Sequence, residues 1–120
     1  MTEPAPEKLA ARDQSFDDGN TALALGEMEE AIRCYRASVE ADPRYVEGWH
    51  ALGMALMKNL QYPEAIAAGL KATELDPNDQ MAWTSLSLAY VRNNQIAEAE
   101  AAGAKAKILS WGGKIKKEEA

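Results

Sequence analysis

The apolar residues of this 120-residue chain recur at three- and four-residue steps. Trp49, Leu52, Met54, Ala55 and Leu56 make one stripe, and Ala65, Ile66, Ala68, Leu70, Ala72 and Leu75 make the next. Such steps place side chains on one face of an α-helix, whereas a half-buried strand alternates every second residue. No stretch sustains that alternation and β-branched runs are few, so no strand is predicted. Between the stripes Asn59-Leu60-Gln61 interrupts the pattern, and Pro63 suits a first helical turn, where its missing N–H is not needed. Asp76-Pro77 closes the pair, because a residue before proline is pushed out of helical geometry. Extended along the chain, this reading predicts six helices, near 8–25, 28–41, 45–59, 62–75, 79–93 and 96–109.

The pattern also repeats residue for residue. At an offset of 34, Asp42-Pro43 returns as Asp76-Pro77, Trp49 as Trp83, Leu52 as Leu86 and Ala55 as Ala89. Glu30-Ala31-Ile32 returns as Glu64-Ala65-Ile66, then as Glu98-Ala99 without the isoleucine. Gly19 returns as Gly53, Ala67-Ala68-Gly69 as Ala101-Ala102-Gly103, and Lys71-Ala72 as Lys105-Ala106. A period of this length marks an array of helix pairs, each too small to bury its own apolar face and stable only when stacked.

These residues resemble the tetratricopeptide repeat family, whose 34-residue unit carries W-x₂-L-G-x₂-Y, then alanine, an aromatic and proline. The second unit has Trp49, Leu52, Gly53, Ala65, Ala72 and Pro77; the third has Trp83, Leu86, Tyr90, Ala99 and Ala106; the first has Gly19, Ala31, Tyr35 and Pro43. The resemblance implies an all-α fold, a right-handed α-solenoid of three helix-turn-helix units at 12–45, 46–79 and 80–113 within one domain over 1–120. Residues 114–120 are then a basic tail or a short capping helix. Gly53 and Ala65 are expected where the two helices of a unit cross closely, and Trp49 and Trp83 where neighbouring units meet.

The departures from the motif carry expectations of their own. The first unit has Ser15 and Asp18 in place of tryptophan and leucine, as a terminal repeat facing water requires, with Phe16 to supply the missing bulk. Gly69 and Gly103 stand where Tyr35 stands in the first unit. Glycine inside a helix costs roughly 0.5–1 kcal/mol, so either close helix approach or simple duplication accounts for them. At the end of the array Trp111 replaces the proline and Gly112-Gly113 breaks the chain. The last helix then offers the small residues Ala99, Ala102, Gly103 and Ala106 as the face left open. A monomer and a weak homodimer through that face both follow.

The resemblance further implies a concave surface, lined by the first helix of each unit, that receives a segment of a protein or peptide partner. At helical spacing the candidates are Phe16 and Asn20 from the first unit, Glu47, His50, Met54 and Met57 from the second, and Met81, Thr84 and Leu88 from the third. Met54, Met57, Met81 and Leu88 suit an apolar partner face, because methionine adapts to irregular shapes. One subset of the family holds the C-terminal carboxylate of Hsp70 or Hsp90 with a clamp of Lys, Asn, Asn, Lys and Arg. Those places fall here on Phe16, Asn20, Ala51, Met81 and Ser85, and only Asn20 matches. Without cations the desolvation of two carboxylates goes uncompensated, so this chain is not expected to be a clamp protein.

Composition narrows the remaining classes. The chain is 47% hydrophobic and 27% charged, the balance of a folded protein. A net charge of −6 disfavours nucleic acid or an anionic membrane as main partner. No apolar run approaches the roughly 18 residues that span a bilayer, so no membrane insertion is expected, and the N-terminus lacks the pattern of a signal peptide. One cysteine, Cys34, excludes an internal disulfide and suits the cytoplasm. Its neighbours Arg33 and Arg36 are expected to lower its pKa slightly. The single histidine, His50, has only Glu47 in helical register, too few ligands for a metal. No nucleophile–base pair or phosphate-cradling glycine loop is present, so no enzymatic activity and no cofactor are expected.

Charge is uneven along the chain. Residues 1–104 carry eight basic and seventeen acidic side chains, net −9, and residues 105–120 carry five lysines and two glutamates, net +3. Lysines suit a helix C-terminus. The expectation is a non-catalytic protein-interaction module, with structural self-assembly through the poorly capped last repeat, as a homodimer or head to tail, as the alternative.

Overall fold

The computed structural model describes residues 3–115, which form six α-helices joined by short turns: α1 (Pro6–Ala24), α2 (Met28–Ala41), α3 (Val46–Lys58), α4 (Tyr62–Leu75), α5 (Gln80–Arg92) and α6 (Ile96–Ser110). Every boundary lies within two residues of the one read from the apolar pattern, and among the described residues there is no strand. The period is carried into the helices, since Met28, Tyr62 and Ile96 start α2, α4 and α6 at 34-residue intervals. Each helix packs on its neighbours in the chain, and α3 also touches α5. The core is therefore a spine and not a globule: Tyr35, Leu52, Leu56 and Leu86 are almost wholly buried at successive levels of the stack.

The turns inside each pair share one mechanism. After α1, the N–H of Gly26 donates to the Leu23 carbonyl and that of Glu27 to the Ala22 carbonyl. The same pair of bonds recurs at Leu60 and Gln61 and at Asn94 and Gln95, and it also closes the last helix at Gly112 and Gly113. This closure satisfies orphan carbonyls at a helix end and needs a left-handed residue at the turn. Gly26, Leu60, Asn94 and Gly112 take it, with φ of 78°, 62°, 61° and 84°. Glycine and asparagine adopt it readily, but leucine pays about 1–2 kcal/mol in steric strain. Leu60 is 71% exposed, so little packing offsets that strain. Leu60→Gly is expected to raise the unfolding free energy by about 0.5–1 kcal/mol, measured by urea denaturation; a loss of stability would mean that the leucine side chain packs favourably enough to outweigh the strain.

The motif residues bind unit to unit. The Trp49 indole Nε1–H donates to the Pro43 carbonyl at 2.8 Å, and Trp83 does the same to Pro77, also at 2.8 Å. Each tryptophan thus fastens the loop before its own helix while its ring fills the junction. In the first unit Phe16 does supply the missing bulk, its ring centroid 5.6 Å from Tyr35 and 5.3 Å from Tyr45. At the same end Arg12 donates to the buried Asp42 carboxylate at 2.9 Å and lies 4.5 Å over the Tyr45 ring. Pairing offsets the desolvation of that carboxylate.

The glycines separate into two kinds. A Cβ on Gly69 would meet Leu86 Cδ1 at 3.1 Å, a close approach of α4 to α5. A Cβ on Gly103 would meet only the Ser87 hydroxyl, at 3.4 Å. Close packing therefore accounts for the first and leaves the second without a structural reason.

One expectation about the end of the array is corrected. Ala99, Ala102 and Ala106 are buried, and Gly103 is half-buried: the small residues of α6 face inward, because they let the helix settle closely on α5. The open face consists instead of Ala97, Ala101, Ala104, Ile108 and Trp111. The expected short cap over 114–120 lies largely outside the described residues. Of that segment Lys114 and Ile115 are not helical, and the Ile115 N–H donates to the Asn78 side-chain oxygen at 2.9 Å.

Candidate partner-binding groove

The first helices of the three pairs, α1, α3 and α5, present the candidate residues in columns 34 residues apart. One column is Phe16, His50 and Thr84; a second is Asn20, Met54 and Leu88; a third contains Glu47 and Met81. Asn20, Glu47 and Thr84 are exposed and His50 is half-buried. Met54, Met81 and Leu88 are 41%, 65% and 46% exposed. Phe16 and Met57 behave differently, for both pack against the core. Their apolar faces are used up in holding the units together.

Where α1 meets α3 the columns enclose a pocket of about 280 Å³, lined by Asn20, Leu23, Tyr35, His50, Ala51, Met54, Ala55 and Lys58. Its floor is apolar, and the only formally charged side chain in its lining is Lys58. A second hollow, among α3, α4 and α5, includes His50, Met54 and Met57 but has only about 20 Å³ of free volume. That is room for about one water, and marks it as a packing seam. Glu47, Met81, Thr84 and Leu88 line neither. A larger recess of about 400 Å³ at the other end of α1 is walled by Glu3, Arg12, Asp42 and Arg44, and two of those walls, Arg12 and Asp42, are already paired with each other.

Tyr35 is the pocket residue that spacing along the first helices misses, because it comes from α2. Its hydroxyl donates to Asn20 Oδ1 at 2.6 Å, which fixes the amide so that its NH₂ is the group left for a partner. Burial pushes the Tyr35 phenol above its ordinary pKa, so it stays protonated as a donor. The signal in the sequence was the aromatic at a place where the other two units have glycine. Its ring lies where a Cβ on Gly19 would fall, 2.6 Å from the nearest ring carbon. Gly19 is therefore the notch through which α2 reaches the groove.

Chemistry elsewhere is sparse. Among the described residues no three His, Cys, Asp or Glu side chains gather as metal ligands, and no helix is long and apolar enough to cross a membrane. Cys34 is buried, and burial pushes its thiol above the ordinary range, with the Glu30 charge adding to the effect. Arg33 does act to lower it, as expected, but burial first and the charge of Glu30, which is paired with Arg33, outweigh that effect.

The family model of the tetratricopeptide repeat matches residues 16–80 and, displaced by one period, 50–114. The chain belongs to the tetratricopeptide repeat family. Solved structures of repeat domains superpose closely on it. The TPR2B domain of yeast Sti1, in complex with pHsp70, has a TM-score of 0.80 at 23% identity, covering 86% of this chain and 82% of that one. The first TPR domain of Spaghetti (RPAP3), bound to the HSP90 peptide SRMEEVD, gives 0.80 at 19% identity, covering 88% and 83%. MamA from AMB-1 gives 0.78 at 24% identity, with 85% of this chain matched to 60% of that one. At these identities the likeness is one of fold. Tetratricopeptide units supply the scaffold, and the groove residues differ from one protein to another.

Proposed function

We propose that this chain is a non-catalytic protein-interaction module that holds a segment of a partner protein along α1, α3 and α5. The observation that carries the proposal is the pocket of about 280 Å³ between α1 and α3. It is large enough for one bulky apolar side chain; Leu23 and Ala51 are its accessible apolar surface, with the buried Ala55 and Tyr35 behind them. Met54 forms one wall and is 41% exposed, so it can repack around an anchor. Leu88 continues the Met54 column into the last unit, and Met81 adds an exposed apolar side chain in the neighbouring column. We assign the module to the cytoplasm, where a lone thiol stays reduced.

Two features set this groove apart from one that clamps a terminal carboxylate. Phe16 is held between two tyrosine rings, and Asn20 Oδ1 is occupied by Tyr35. The remaining clamp places are Ala51, Met81 and Ser85, none of them a cation.

The test is a comparison of the native protein with the double substitution Met54→Glu and Met81→Glu as bait in extracts of the source organism. A partner recovered by the native bait is expected to bind the variant at least roughly tenfold more weakly, the effect of placing charge in an apolar contact. Equal affinity, with helical circular dichroism intact, removes the methionines from the site.

A further inference from the structure

The last helix is apolar on two sides. Its inner side is the buried row Ala99, Ala102 and Ala106. At about 100° per residue, Ala97, Ala101, Ala104, Ile108 and Trp111 fall in one outward stripe centred on Ala104, and all are exposed. Ile108 is 41% exposed and Trp111 73%. Glu100 and Lys107 lie along the same edge of this stripe. An exposed apolar face on a helix is ordinarily covered. The Lys107 ammonium lies 5.3 Å from the Trp111 ring centroid and Gly113 lies against Ile108, and among the described residues no other helix packs on the stripe.

We propose that this stripe is a homodimer interface in which α6 packs antiparallel on α6 of a second copy, about a two-fold axis through Ala104. The groove takes no part in it. A two-fold interface must be complementary to itself, and the order of residues along the stripe meets that condition in both size and charge. With Ala104 facing Ala104 of the second copy, Trp111 lies over Ala97 and Ile108 over Ala101, large residues on small ones. The two alanines at the centre let the helix axes come close. Because a two-fold axis of this kind keeps each edge opposite itself, Glu100 faces Lys107 of the second copy, and the pair occurs twice. The charges of α6 are ordered the same way, Glu98 and Glu100 in its first half and Lys105 and Lys107 in its second. Antiparallel packing therefore sets acid against base and opposes the helix dipoles favourably, whereas parallel packing would set like against like.

Head-to-tail stacking has no such complement. Where α3 presents Gly48, Ala51, Leu52 and Ala55 to the unit before it, and α5 presents Ala82, Ser85, Leu86 and Ala89, α1 presents Gln14, Asp17, Asp18 and Thr21. All four of those α1 residues are exposed, and stacking would take the Asp17 and Asp18 carboxylates out of water, Asp18 with only the Gln14 amide bonded to it at 2.9 Å. A 15-residue helix pair covers less than the roughly 1,200 Å² of a stable interface, so the dimer is weak and concentration-dependent.

The experiment is sedimentation velocity from about 5 to 500 μM, concentrations that bracket a weak association. The mass is expected to rise from 13.1 kDa toward twice that value and stop there. Glu100→Lys alone, or Lys107→Glu alone, should weaken association roughly tenfold by turning two attractive pairs repulsive. A one-to-one mixture of the two variants should restore it, since each copy then supplies the charge the other lacks. Helical circular dichroism on each variant separates loss of pairing from loss of fold. A constant mass of one chain over the whole range overturns the proposal, as does growth beyond two copies or a mixture no stronger than its parts. A protein that stays monomeric, and whose Trp111 emission shifts only with phosphatidylserine vesicles, assigns the face to a lipid surface and equally overturns it.

Discussion

Tyr35→Ala is expected to destabilise the fold by about 3–5 kcal/mol, the usual range for emptying a fully buried aromatic site. The ring is wholly inaccessible and lies between the Gly19 notch and Phe16. Collapse of α1 onto the gap is resisted because Phe16 is also braced against Tyr45. Tyr35→Phe keeps the ring and removes only the bond to Asn20, so about 1 kcal/mol is expected. The decisive measurement is the double-mutant cycle with Gly19→Ala. In the native background the new methyl would sit 2.6 Å from the ring, and overpacking of that kind costs about 1–3 kcal/mol. In the Tyr35→Ala background the clash is gone, and alanine is the better helix former by about 0.5–1 kcal/mol, so the same substitution should become stabilising. Additive effects in urea denaturation would mean that Gly19 and Tyr35 do not constrain each other.

Trp83→Ala carries the second large effect, again about 3–5 kcal/mol. The indole is 8% exposed, its N–H holds the Pro77 carbonyl, and the Lys105 ammonium lies 4.4 Å from its ring centroid. It therefore ties α5 both to the loop before it and to α6 after it. Trp83→Phe should cost about 1 kcal/mol for the lost hydrogen bond, plus a smaller loss of packing. Trp49 makes the same bond to Pro43 but is only half-buried, so Trp49→Ala should cost less than Trp83→Ala. Equal losses at the two sites would show that burial at the junction is not what distinguishes them.

Much of the architecture was legible because it is local. Helix ends depend on which residue accepts a left-handed turn and on where proline stands, and these are set within a few positions of each other. Gly26, Asn94 and Gly112 are such residues; Leu60 is the exception that the period, and not local preference, places in the turn. The tryptophan–proline bonds recur with the period as well, so finding one finds the other. The groove was legible only by column. Spacing on α1, α3 and α5 picked out Asn20, His50 and Met54, which line the pocket, but it treated Met54 and Met57 alike. One of them is a pocket wall and the other packs in the core.

What the sequence determined by itself, then, is the period, the six helices and the stacking of their pairs, since short-range preferences repeated three times reinforce one another. The tertiary structure decided what lies across helices. It set the buried Tyr35 of α2 behind the groove, where its hydroxyl holds Asn20, turned the small residues of α6 inward and left Trp111 outside. It also raised the Cys34 thiol that its arginine neighbours were expected to lower. Each of these outcomes depends on which side chains meet from elements a dozen or more residues apart, and on how much water their packing excludes. A one-dimensional pattern gives the face on which a residue lies, and only the packed neighbours give what that face meets.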